Sequence, residues 1–213
     1  MTATLGAREQ AVVLQAASLC LQYPDEALLA HLPTVRAAVG ELTGGVARRR
    51  LSAFLDAMAA QPASASAQHY VEVFDTRRRC CLYLTWWTDG ETRRRGSSLA
   101  GLKARYRESG VEFDGAELPD FLPVVCEFAA TADLAGGLEL LQEHRAGLEL
   151  LRLALVDVAS VYAAPVEAVC ALLPGPSPRD VAAAKALARS GPPREQVGLE
   201  LLPFSTTRPE AVR

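Results

Sequence analysis

Apolar residues recur along most of this chain at spacings of three and four, the period of a helix with one buried face. Residues 8–22 are rich in Ala, Val and Leu and contain no breaker, which predicts a first helix. Tyr23-Pro24-Asp25-Glu26 restarts one, with proline in the first turn and two acids at its positive end. Pro33-Thr34 predicts an interruption, and Gly44-Gly45 a turn. Leu51, Phe54, Leu55 and Met58, at i, i+3, i+4 and i+7, make one apolar stripe of the next helix. Residues 61–67, small and polar around one proline, read as a loop. A helix over 91–109 sets Leu99, Leu102 and Tyr106 on one face, and Gly110 stands where a C-terminal cap is wanted. After a connection over 111–118, Pro119-Asp120 opens a helix burying Leu122, Val125 and Ala129. The Leu-rich run 134–163 predicts two helices or one bent one, with Gly136-Gly137 and Gly147 as weak points. Pro165 starts a short helix to residue 173, and Pro174-Gly175-Pro176-Ser177-Pro178 marks a boundary. One amphipathic helix over 179–189 and a Pro-rich tail follow.

The expected fold is therefore all-α: a single-domain helical bundle over 1–173, then 174–213 as boundary, short helix and mobile tail. β signals are weak. The β-friendly residues 70–74 sit among helix formers, and no Asn-Gly or Asp-Gly turn joins alternating runs. No fixed-period repeat supports a solenoid. The 213 residues suffice to bury a real core. With 50% hydrophobic and 22% charged residues, the composition excludes wholesale disorder.

Charge and cysteine usage narrow the class. The formal net charge is -3, which argues against the broad positive field of a nucleic-acid binder. All basic residues but Lys103 and Lys185 are arginines. The triplets Arg48-Arg49-Arg50, Arg77-Arg78-Arg79 and Arg93-Arg94-Arg95 could hold phosphate, but solvated helix faces are the simpler account. No basic segment leads into an apolar one at the N-terminus. Apolar stretches are broken by charge within about 10 residues, whereas a bilayer span needs ~20. A cytoplasmic protein without direct membrane insertion is expected. The five cysteines, Cys20, Cys80, Cys81, Cys126 and Cys170, lack C-x-x-C spacing, so reduced buried thiols are expected rather than disulfides or zinc.

Catalytic templates are absent: no phosphate-binding G-x-x-x-x-G-K-[ST] loop, no G-x-S-x-G elbow, no H-E-x-x-H. His31, His69 and His144 are scattered. No catalytic residue, metal or cofactor is expected. Two constellations remain. Tyr70, Phe74, Trp86 and Trp87 could form an exposed aromatic wall for a partner's apolar helix. The structural alternative buries Trp87 and lays Trp86 across the surface. Within Glu117-Leu118-Pro119-Asp120-Phe121-Leu122-Pro123, Glu117 and Asp120 could form an acidic rim beside that wall. Alternatively, Asp120 simply caps its helix.

At these constellations the chain resembles a known family. Tyr70-Val71-Glu72-Val73-Phe74-Asp75-Thr76-Arg77-Arg78-Arg79, then Leu82-Tyr83-Leu84-Thr85 and Asp89-Gly90-Glu91-Thr92-Arg93-Arg94-Arg95-Gly96, resemble the delta subunit of respiratory nitrate reductase. This is the NarJ family of molybdenum cofactor assembly chaperones, within the wider redox-enzyme maturation group. Glu117-Leu118-Pro119-Asp120, followed by Leu122-Pro123, resembles its second signature, and Tyr23-Pro24-Asp25 fits as well. The resemblance implies an all-helical cytosolic chaperone. It would bind the N-terminal peptide of the nitrate reductase alpha subunit apoprotein and hold it for molybdenum cofactor insertion. Tyr70 and Phe74 match the group's aromatic pair, and Glu117 and Asp120 its acids. The family usually places His after that Asp; Phe121 stands here, so an apolar contact is expected instead. The candidate client-peptide residues are thus Tyr70, Phe74, Asp75, Trp86, Trp87, Glu117, Asp120 and Phe121. A monomer is favoured, although helical chaperones can swap elements. Two other classes stay open: a small helical enzyme using Cys80 or Cys81 as nucleophile, and a structural subunit of a membrane complex.

Overall fold

The computed structural model describes residues 5–190 except 114 and 116. Among them are eleven α-helices and no strand: α1 (Ala7–Cys20), α2 (Glu26–Gly40), α3 (Gly45–Ala59), α4 (Ala63–Tyr70), α5 (Leu84–Asp89), α6 (Arg93–Glu108), α7 (Leu122–Thr131), α8 (Leu134–Glu143), α9 (Arg145–Asp157), α10 (Ala163–Cys170) and α11 (Val181–Ser190). The all-helical expectation holds. α1 lies at the centre, packed against α7, α10, α3 and α2. Its Val13, Leu14 and Ala17 are wholly buried. α3 lies on α10 through the predicted stripe of Leu51, Phe54, Leu55 and Met58, all buried.

Several boundaries follow from local chemistry. Asp25 caps α2 by accepting the Leu28 N–H at 2.7 Å, so Pro24 precedes the helix rather than occupying its first turn. Gly110, at φ +79°, ends α6 in a Schellman arrangement. Its N–H donates to the Arg107 carbonyl, and Val111 N–H donates to that of Tyr106, both at 2.9 Å. This return folds Val111 back over Tyr106.

Four local expectations are corrected. Pro33 does not interrupt α2; it lies on the solvent side, where water can satisfy the carbonyl that loses its partner. Residues 63–70 are helical, because Pro62 supplies the extended backbone that starts α4, which then continues into a wide π-turn, Val71–Asp75. The Leu-rich run breaks at His144, not at its glycines. Those glycines mark close approaches: a Cβ on Gly137 would lie 2.2 Å from the Ala129 Cβ, and one on Gly147 2.6 Å from the Trp87 Cβ. Finally, α7 begins at Leu122, and Asp120 does not cap it.

The chain beyond residue 173 continues the packing. α11 lies on α9 with Ala184 wholly buried. The Arg145 guanidinium donates to the carbonyls of Pro174 and Gly175, and that of Arg152 to Pro178 at 2.6 Å. Between the two arginines lies Glu149, fully buried, accepting from Arg152 Nε at 2.6 Å and from Arg145 at 3.4 Å. Of the stretch 174–213, expected as boundary, short helix and mobile tail, residues 191–213 lie outside the described residues.

Candidate functional site

The two singled-out stretches meet in space. Backbone around Tyr83 runs antiparallel to backbone around Phe121 in a single β-bridge. Leu84 N–H donates to the Asp120 carbonyl and Leu122 N–H to the Leu82 carbonyl, each at 2.9 Å. This short zipper fixes the start of α5 against the start of α7, although the two lie far apart in sequence.

A buried carboxylate reinforces the zipper. Asp120 has no exposed surface. Its Oδ2 accepts from Thr85 N–H at 3.1 Å and from the Thr85 hydroxyl at 2.5 Å. Arg95 approaches the same oxygen at 3.6 Å and donates through Nε to Thr85 Oγ1 at 3.2 Å. Asp120 therefore satisfies N-terminal donors of α5, a neighbour's helix rather than its own. It does not contribute to an acidic rim, contrary to the expectation from sequence. An unpaired carboxylate would not tolerate such burial, and the partner here is Arg95, from a triplet assigned to solvent.

Above this clasp the aromatic side chains divide into two groups. Tyr83 and Phe121 pack ring against ring, tilted by 36°, with centroids 5.3 Å apart. Arg95 lies 5.6 Å over the Tyr83 ring, and the Tyr83 hydroxyl donates to exposed Glu117 at 3.4 Å. Burial, then the Glu117 charge, push the Tyr83 phenol above its ordinary value. The apolar contact expected of Phe121 is thus an intramolecular one, with Tyr83. In the second group, Tyr70 and Phe74 both pack on Tyr162, with centroids at 5.6 and 4.9 Å. Tyr70 is buried and donates to the Leu21 carbonyl at 3.3 Å, with Tyr23 against its edge. Asp75, Tyr83 and Glu117 lie near enough to add to burial in raising the Tyr70 phenol. Phe74 is half-buried, and Asp75 is exposed.

The two tryptophans take different partners, although both are half-buried. Trp87 packs against Gly147 of α9 and donates its indole N–H to the Cys81 carbonyl at 3.1 Å. Trp86 lies under the Arg78 guanidinium, 5.3 Å from the ring. Among the candidates Tyr70 and Asp120 are buried, Asp75 and Glu117 are exposed, and Phe74, Trp86, Trp87 and Phe121 are half-buried and still accessible to a partner. Sequence reading missed Tyr83, Thr85 and Arg95 as site residues. A signal existed for Thr85, the lone β-branched hydroxyl in an aromatic run, whereas nothing local distinguished Arg95 from its neighbours.

The thiols do not form a nucleophilic centre. All five cysteines are free and only Cys81 is not fully buried. Desolvation raises both Cys80 and Cys81, so the thiolate each would need is disfavoured. His69 contacts Ser160 at 2.9 Å and stacks on Tyr162, and burial lowers His144. Among the described residues no cluster of three or more His, Cys, Asp or Glu could hold a metal. Nor is any helix there long and apolar enough to cross a membrane. A cavity of about 1020 Å³ opens between the 43–47 turn and residues 170–177, and no candidate residue lines it.

The family model described as "Nitrate reductase delta subunit" matches residues 40–167, spanning both signatures. The chain belongs to the nitrate reductase delta subunit family. Within it, a probable nitrate reductase molybdenum cofactor assembly chaperone, NarJ, of Bacillus subtilis is 32% identical over 78% of this chain and 90% of its own length. Escherichia coli NarJ, named as the same kind of chaperone, is 34% identical over 68% of this chain and 63% of its own length. A nitrate reductase-like protein, NarX, of Mycobacterium tuberculosis is 42% identical over 75% of this chain. The match spans only 24% of that longer protein. The delta-subunit fold also resembles the crystal structure of an Archaeoglobus fulgidus protein assigned to redox enzyme maturation, with a TM-score of 0.56 and 21% identity. That likeness covers 76% of this chain and 91% of the other.

Proposed function

We propose that this delta-subunit family member is a nitrate reductase maturation chaperone rather than an enzyme. It works in the cytoplasm on the apoprotein of the catalytic alpha subunit and leaves the chemistry to its client. It binds the N-terminal segment of that subunit and keeps the apoprotein competent for molybdenum cofactor insertion. The observation that carries this reading is the junction of the two signatures. The Tyr83–Phe121 zipper and its Asp120 clasp brace the region where the two signatures meet, and Phe74, Trp86, Phe121 and Glu117 keep exposed surface there. Raised thiols and scattered histidines favour no catalytic alternative.

The energetics suit transient holding. Covering about 400 Å² of apolar client surface at roughly 25 cal/mol/Å² yields on the order of 10 kcal/mol gross. Ordering a flexible peptide removes much of this, leaving micromolar-to-nanomolar binding. Calorimetric titration of the full chain with the N-terminal peptide of its cognate catalytic subunit tests the proposal. Saturable one-to-one binding is expected, weakened in Phe74→Ala and Trp86→Ala by ~1–3 kcal/mol each. Absence of binding across pH 5 to 8, roughly the range in which histidine titrates, sinks it.

A further inference from the structure

A second cavity adjoins this face. It measures about 380 Å³, within the usual ~300–1,000 Å³ of small-ligand pockets. It lies between the end of α6, the chain following it, and α7. Its floor is aromatic: Tyr106 and Phe128 pack at 4.5 Å, and Tyr106 and Phe113 at 5.9 Å. Tyr106 is held in place by donating to the Pro119 carbonyl at 2.6 Å. The Schellman turn at Gly110 delivers Val111 and Phe113 over the opening, and half-buried Val124 of α7 lines the opposite wall.

The rim has one sign. Every charged lining residue is a glutamate: Glu112, Glu117 and Glu127, all exposed. The nearby cation Lys103 lies over the Phe113 ring at 5.5 Å, at the edge of the cavity rather than among its lining residues. Glu117 is shared with the second signature and accepts from Tyr83, so the cavity continues the candidate face. A dry aromatic floor under three carboxylates fits an apolar side chain whose neighbours carry positive charge.

We infer that this cavity is the anchoring pocket for the client, taking one large apolar side chain from a peptide in which Lys or Arg flanks that residue. The inference rests on the chaperone reading but names a site whose lining, Glu117 apart, lies outside the signatures. The aromatic floor supplies the contact area. The glutamates select for basic flanks and reject acidic peptides by like-charge repulsion.

Two probes separate the pocket from the chaperone reading. The first is a synthetic 15-residue helix-forming peptide with one Phe flanked by Lys, paired with a twin carrying Glu at the flanks. The second is the N-terminal peptide of the catalytic subunit. Fluorescence anisotropy with the full chain reads both. The Lys probe should bind at least roughly tenfold tighter than its Glu twin, and added salt should erode the preference. Glu112→Lys with Glu127→Lys, both at exposed positions, should invert it. Val124→Trp, which fills the cavity, should weaken the Lys probe and the client peptide alike, with a native melting transition confirming the fold. Equal binding of the two probes, or a preference unchanged by charge reversal, overturns the pocket. If the client peptide binds but ignores all three substitutions, the pocket falls and the chaperone reading stands. If the Lys probe obeys the pattern while the client peptide does not bind, the chaperone reading falls instead.

Discussion

Replacing Asp120 separates two roles that one acid in a family signature could play. As a client contact, its loss would weaken peptide binding and leave folding intact. As a clasp, its loss would weaken the fold first. In Asp120→Ala, the Thr85 N–H and hydroxyl lose their acceptor at a site with no exposed surface. Each buried group left unpaired costs about 1–3 kcal/mol. Breaking a buried ion pair outright costs roughly 3–5 kcal/mol. Arg95 is 24% exposed, so it can turn partly toward water, and the larger figure must be discounted. The expected loss is ~2–4 kcal/mol, which for a chain of this size lowers the melting temperature by several degrees, at ~2–4 °C per kcal/mol. Asp120→Asn keeps an acceptor for Thr85 and loses only the charge, so about 1–2 kcal/mol is expected. Urea titration followed by far-UV circular dichroism measures both, with an unchanged m-value confirming the comparison. If Asp120→Ala unfolds within ~0.5 kcal/mol of the parent while peptide affinity drops tenfold, the clasp is refuted and the acid contacts the client.

Three further outcomes are expected. Gly147→Ala places a Cβ 2.6 Å from the Trp87 Cβ, a backbone-anchored atom that cannot rotate away. The variant should lose ~1–3 kcal/mol and shift its tryptophan emission to the red; an unchanged spectrum and melt would contradict the contact. Alkaline pH should destabilise the fold. Burial pushes Cys20 from an ordinary 9.0 up to about 12, so the unfolded chain releases that proton first. Its contribution is complete below pH 9 and is lost as pH rises from 9 to 12. Urea midpoints at pH 8 and 10 should differ in the parent and less so in Cys20→Ala. Disulfide-exchange labelling at pH 7.5 should modify Cys81 first and slowly, the other four only on unfolding; a fast-reacting thiol would revive a cysteine-based activity.

What was legible in the sequence was governed by local rules. The stripe of Leu51, Phe54, Leu55 and Met58 is buried as its spacing requires, because a helix face must be covered by something. Gly110 caps α6 because only the left-handed conformation closes a Schellman turn. What failed depended on neighbours. Pro33 continues a helix because it lies on the exposed side, where water can satisfy the Leu29 carbonyl left without a donor. Gly137 and Gly147 were read as weak points from propensity, yet they are where α8 meets α7 and where α9 meets Trp87. Asp120 carries every local mark of an N-cap, and it does satisfy helix-start donors, but those of α5. No window of sequence reveals which helix an acid will serve once two distant segments pair.

This misreading bears on how such a protein divides its labour. The residues that carry the resemblance include two whose side chains are committed within the molecule: Asp120 to Thr85, and Tyr70 to Leu21 and Tyr162. A group already hydrogen-bonded and buried has little differential interaction left to offer a partner, because any new contact must replace one already made. Under the proposed chaperone function, discrimination between client segments comes from exposed groups mounted on that frame. Glu117 is the residue in common: it belongs to the second signature, touches Tyr83 at 3.4 Å, and stands on the rim of the aromatic cavity. Glu112 and Glu127 flank the same opening without any part in the clasp. A chaperone so built can change its client preference by exchanging rim charges while keeping its fold. Under the proposed chaperone function, the exposed glutamates, and not the buried aspartate, govern which peptide is held.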